Sequence, residues 1–233
     1  MLTLIVTVVV VSAALLIGAA WGIYGSLHAH LEGFLIALAG GALIVSVVAE
    51  LIQPAIQRST LPVVFLSVAA GAGIYSLCDW WIDKKIGEDS GGGLLAAITL
   101  DGIPENIALG IALIGAGFMQ IAALAGAIFL SNLPEAAGGA KEMAADGHGK
   151  GKVLGLWALT ALLLSVAAIV GNLALSHVSK HLLAAMQGFA AGAVVASLAT
   201  AVFPKAFKED NYWTGIAVAI GLVLALALGE LGG

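Results

Sequence analysis

Apolar runs of about 20 residues, separated by short polar breaks, fill most of the chain: roughly 2–24, 33–53, 62–82, 93–114, 119–140, 153–175, 182–204 and 212–231. The runs are continuous rather than alternating, which predicts helices and not barrel strands. The expected fold is all-α and polytopic, with eight transmembrane helices in a single transmembrane domain over residues 1–233. The first run lacks a basic start and a clear cleavage site and is too long for a signal peptide, so it is read as a span.

A repeat shows in the same pattern. The second run reads Ala39-Gly-Gly-Ala through Glu50 to Pro54, and the seventh reads Phe189-Ala-Ala-Gly through Thr200 to Pro204, offset by 150 residues. Small residues fall at 40–42 and 190–192. Four intervening spans make the two helices run in opposite directions, so helices 1–3 and 6–8 are expected to form an inverted repeat around the helix 4/5 pair.

Composition narrows the class. With 61% hydrophobic and 10% charged residues, the chain carries more apolar surface than a soluble domain of this size can bury. A net charge of −5 without a basic patch excludes a nucleic-acid partner. Cys78 is the only cysteine, which excludes an internal disulfide and a multi-cysteine metal cluster. Lys84, Lys85, Lys141, Lys150, Lys152, Lys205 and Lys208 fall in alternate loops, against Arg58 and Lys180 in the others. Basic residues favour the cytoplasmic side, so both termini are expected outside the cytoplasm of a plasma membrane.

Two pentads interrupt the apolar pattern: Asp101-Gly-Ile-Pro104-Glu105 and Ser131-Asn-Leu-Pro134-Glu135, 30 residues apart. A carboxylate at bilayer depth costs several kcal/mol unless it is paired, protonated or faces a wet cavity. Each proline removes a rung of the helix ladder and pushes aside the carbonyl of Leu100 or Leu130. With a tight turn about residue 118, the two helices lie antiparallel, Asp101 level with Glu135 and Glu105 level with Ser131. The i, i+4 spacing stacks Asp101 on Glu105 and Ser131 on Glu135, and Asn132 joins the same face.

Asp101, Glu105, Ser131, Asn132 and Glu135 are therefore expected to converge near the bilayer centre as ligands of a metal ion. Three carboxylates together need a proton or a cation, and a divalent ion would accept their lone pairs. The alternative is a set of protonated acids that hydrogen-bond as structural glue; a proline beside each glutamate favours the cation.

Lesser candidates have ordinary alternatives. Glu50 is either a ligand on the way in or a snorkelling acid near the surface. His28, His30 and Glu32 form either a loose metal-binding mouth or a solvated loop. The glycine-rich stretch from Lys141 to Lys152, with His148, is read as a mobile connection. Trp80 and Trp81 are read as interfacial anchors.

At the two Pro-Glu pentads the sequence resembles the ZIP (Zrt/Irt-like protein) family of divalent metal transporters, in its short bacterial branch. The resemblance extends to the helix count, the external termini and the second-helix pattern. It sets Asp101 where the family has His, Gly102 where it has Asn, and Ser131 where it has His or Gln. Glu105, Asn132 and Glu135 match. The resemblance implies a transporter, not an enzyme, that carries zinc into the cytoplasm as a homodimer in the bacterial inner membrane. The all-oxygen ligand set suits manganese or iron(II) as well, and predicts broad selectivity, cadmium included. A metal-binding sensor and an intramembrane enzyme using paired carboxylates are the rival readings; no phosphate-binding loop for a nucleotide motor is present.

Overall fold

The computed structural model describes residues 2–25, 28–86, 91–116 and 121–232. The turning point expected about residue 118 lies outside the described residues. In chain order the helices are α1 (Leu2–Tyr24), α2 (Ala29–Val47), a π-helical turn (Val48–Ile52), α3 (Gln53–Arg58), α4 (Leu61–Ile86), α5 (Gly91–Ala112) and α6 (Ala122–Ala145). They continue with α7 (Lys150–Leu175), α8 (Lys180–Ser197), a second π-helical turn (Leu198–Val202), α9 (Phe203–Asp210), a 3-10 turn (Asn211–Trp213) and α10 (Thr214–Gly232). Among the described residues there is no strand.

Local sequence explains the boundaries. Ser179 caps α8, its hydroxyl accepting the Leu182 N–H at 3.3 Å. Pro62 sits at the second position of α4, where its missing N–H costs nothing. Asn211 ends α9 with φ 49°, a left-handed conformation that asparagine tolerates better than most residues.

The two π-helical turns are 150 residues apart and each directly precedes a proline-bearing helix start. In them the N–H of Gln53 reaches the carbonyl of Val48, and that of Phe203 reaches Leu198, five residues back instead of four. Pro54 and Pro204 lack an N–H, and their rings push the preceding turn open, so the wider turn absorbs the strain.

Among the described residues, five stretches are long and apolar enough to cross a membrane: Leu2–Tyr24, Ala29–Arg58, Leu61–Lys85, Lys150–Leu175 and Lys180–Glu230. The sequence pattern predicts eight. Helices α5 and α6 are not among the five; α5 carries Asp101 and Glu105, and α6 carries Glu135, Lys141 and Glu142. Most of α6 is buried by its neighbours, so it is not required to match the apolarity of lipid. The final stretch joins α8, α9 and α10 without a non-helical break.

The bundle is α6-centred. Helix α1 packs along α6, with Gly22 so close that a Cβ would strike the carbonyl oxygen of Ala137. Helix α7 lies along α5, α4 along α8, and α10 along α2. Helices α4, α7 and α10 turn Phe65, Leu66, Leu77, Leu162, Val170, Val223 and Leu226 outward, an apolar periphery suited to lipid rather than water.

Candidate metal centre

All five residues singled out by the pentads are buried: Asp101, Glu105, Ser131, Asn132 and Glu135. Both prolines lie inside continuous helices, Pro104 in α5 and Pro134 in α6. The predicted i, i+4 stacking is present on α6, where the Ser131 hydroxyl donates to Glu135 Oε1 at 2.7 Å. Asp101 and Glu105 on α5 and Glu135 on α6 are three buried carboxyl groups on a pair of helices in contact. Three bare anions in a low-dielectric interior are costly.

Asp101 is held from outside the pentads. The Tyr75 hydroxyl on α4 donates to Asp101 Oδ1, and the Ser197 hydroxyl at the end of α8 donates to the same oxygen at 3.2 Å. These two residues were not legible in the sequence. They lie 26 and 96 residues from Asp101, and no spacing rule links them to it. As placed, among the described residues no three His, Cys, Asp or Glu side chains are gathered around one point that could hold a metal ion.

Unpaired polar atoms accompany the acids. The Asn106 amide nitrogen donates to the Gly102 carbonyl at 2.9 Å, while its Oδ1 is buried without a partner. Asn132 Nδ2 is likewise buried and unpartnered. Each such atom costs roughly 1–3 kcal/mol when nothing satisfies it. Asn106, directly after Glu105, is a residue that the pentad reading left out.

Gly102 has a packing reason. A Cβ there would come 2.5 Å from Leu164 Cδ1 of α7, so the asparagine side chain that the ZIP resemblance sets at this position has no room. Leu164 is fully buried and fills that space.

The two ends of the bundle differ. At the α3 end, Glu50, Pro54, Arg58, Gln187 and the last turn of α5 line a cavity of about 380 Å³. Arg58 Nη1 donates to Gln187 Oε1 at 2.9 Å across its wall, and Gln187 is buried. Glu50 lies on the cavity wall, half-buried. At the other end, Lys205 Nζ pairs with Glu32 Oε1 at 3.3 Å, and His30 Nδ1 lies 3.3 Å from Asp210 Oδ1. Thus Glu32 and His30 face separate acidic or basic partners on α9 rather than one shared mouth. His148 lies in the short connection after α6.

Comparison with protein-family models and with curated proteins finds no match.

Proposed function

We propose that the protein is a divalent-cation transporter of the ZIP type that moves its cargo into the cytoplasm through a carboxylate site between α5 and α6. The observation that carries this reading is the trio Asp101, Glu105 and Glu135, all buried on two adjacent proline-containing helices. Structural glue calls for neither three buried acids on one helix pair nor an orphaned Asn106 oxygen directly after Glu105. A cation satisfies both.

In this reading Glu105, Glu135 and Asp101 are the charged ligands, and Asn132 and Ser131 complete the oxygen set. Asp101 swings from Tyr75 and Ser197 to the ion. Zinc follows from the family resemblance, with manganese, iron(II) and cadmium accepted because every donor is oxygen. The metal is cargo, and no reaction is catalysed.

The eight-span reading divides the stretch Lys180–Glu230 in two. At 1.5 Å per residue a straight helix of that length would measure about 75 Å, more than twice a bilayer core of about 30 Å. Asn211 is the natural corner between the two spans. Helices α5 and α6 add spans whose acids face protein instead of lipid. The matched π-helical turns, and the matched pairs α2 with α10 and α8 with α4, support an inverted repeat. Helices α1, α5, α6 and α7 then form one group that shifts against α2, α4, α8 and α10.

By the lysine distribution the termini and the α3-end cavity face outward, and the Glu32–Lys205 end faces the cytoplasm of a plasma membrane. Homodimer assembly follows from the resemblance. The test is uptake of Zn²⁺ and Mn²⁺ into proteoliposomes holding a fluorescent indicator, with purified protein reconstituted. Uptake that disappears in both Glu105→Ala and Glu135→Ala supports the reading, and uptake retained by both contradicts it. Binding without flux assigns the protein to sensing.

A further inference from the structure

The cavity at the α3 end carries two opposite charges that cation transport leaves without a role. Glu50 lies in the π-helical turn Val48–Ile52 and Arg58 in the last turn of α3, and both line the cavity of about 380 Å³. In an unbroken α-helix their spacing would set them about 80° apart around the axis. The π-helical turn takes up one extra residue, which returns both to one face, roughly 11 Å apart along the axis. Pro54, whose ring opens that turn, therefore builds the charged wall. At the matching turn Leu198–Val202, Thr200 stands where Glu50 does, so the widened turn needs no acid for its own sake.

The two charges do not neutralise each other. Arg58 Nη1 donates to Gln187 Oε1 at 2.9 Å, and Gln187 is buried, so the guanidinium is held against α8. Among the described residues Glu50 has no hydrogen-bond or ion-pair partner, although it is half-buried. A partly desolvated carboxylate and a partly desolvated guanidinium each favour a group of opposite charge. A bare cation would meet Arg58, which is always charged, and a simple anion would meet Glu50. Only a ligand carrying both signs suits the whole wall. Pro54, Ile111 and Ile114 add apolar lining for the body of such a ligand. The volume lies at the lower end of the range for small-molecule sites and far above that of a single ion or water.

We infer that this cavity is a binding site for a small zwitterion with an apolar body, an amino acid or a dipeptide, whose carboxylate is held by Arg58 and whose ammonium is held by Glu50. The guanidinium keeps further N–H donors beyond the one given to Gln187, in a planar fork that matches a carboxylate. Gln187 is a positioning residue: it fixes the plane of that fork. Arg58 closes α3 and Glu50 lies about two turns further into the bundle, so the ammonium end of the ligand points inward. No metal takes part, and this binding stands or falls apart from cation transport.

The experiment is calorimetric titration of L-leucine, leucyl-glycine, isocaproate and isoamylamine into the full chain in lipid nanodiscs, without metal. Isocaproate is leucine without its ammonium, and isoamylamine is leucine without its carboxylate. The better of the two zwitterions is expected to bind about tenfold more tightly than either single-charge probe, the worth of one hydrogen bond to a charged group, and which one that is separates an amino-acid site from a peptide site. Glu50→Gln should bring the zwitterion down to the affinity of isocaproate, and Arg58→Gln should bring it down to that of isoamylamine. If Arg58→Gln does not fold, Glu50→Gln, which breaks no hydrogen bond, carries the same test. Equal binding of all four probes, no binding of either zwitterion, or a variant that weakens all four probes alike, as a purely structural role would, overturns the inference.

Discussion

Tyr75 donates its phenolic hydrogen to Asp101, and so ties the first acid of the α5 pentad to α4, a helix otherwise turned largely toward lipid. Ser197 binds the same oxygen from α8. The acid thus bridges three helices, and any ion that recruits Asp101 has to release it from α4 and α8.

That exchange predicts the behaviour of Tyr75→Phe. Losing the phenol removes a hydrogen bond to a charged group, worth about 1.5–3 kcal/mol in the metal-free protein. The thermal midpoint in detergent should fall, while affinity for Mn²⁺ should rise, because the ion no longer competes with the phenol for Asp101. Thermal unfolding with and without Mn²⁺ reads both effects on one sample.

Ser131 offers a contrast. Its hydroxyl supports Glu135 through one 2.7 Å hydrogen bond. Ser131→Ala should weaken ion binding by roughly 1 kcal/mol, about fivefold, and leave uptake measurable. Glu135→Gln, which removes the charge itself, should abolish it. Uptake titrations over a range of Mn²⁺ concentrations separate the two.

Gly102 and Leu164 should behave as a coupled pair. Gly102→Asn alone forces a side chain into the space of Leu164 and is expected to cost about 1–3 kcal/mol by overpacking. Adding Leu164→Ala opens that space, so the double variant should be more stable than the sum of the single changes predicts. Denaturation of all three variants under matched detergent conditions gives the coupling.

Pro204 is predicted to trade stability for transport. Pro204→Ala restores an N–H to the turn at Leu198–Val202 and lets it tighten toward an α-helical pattern. The thermal midpoint should rise and uptake should slow several-fold, since Lys205 and the whole of α9 are rotated about the helix axis. Pro54→Ala, at the matching turn, should act in the same direction by displacing Glu50 and Arg58 on the cavity wall.

Much of the centre was readable from residue order because the cost was visible there. Glu105 and Glu135 each follow a proline inside an apolar run, and only burial among protein groups makes that tolerable; both are buried. The i, i+4 stacking of Ser131 on Glu135 follows from helix geometry alone. Tyr75 and Ser197 were hidden, since each sits in a run where an isolated hydroxyl looks like ordinary packing. Their role arises from tertiary approach. The π-helical turns were equally hidden: Pro54 and Pro204 marked a disturbance, but a proline does not specify whether the helix kinks, breaks or widens. The span count diverged for a related reason. Apolarity measures contact with lipid, and α6 is enclosed by other helices.

The most direct measurement is anomalous diffraction from crystals soaked in Mn²⁺ and, separately, in Zn²⁺. The account predicts a peak between α5 and α6, bounded by Asp101, Glu105, Asn132 and Glu135, with Asp101 turned away from Tyr75. Peaks confined to other parts of the molecule, with the three carboxylates unmoved and unoccupied, would contradict it.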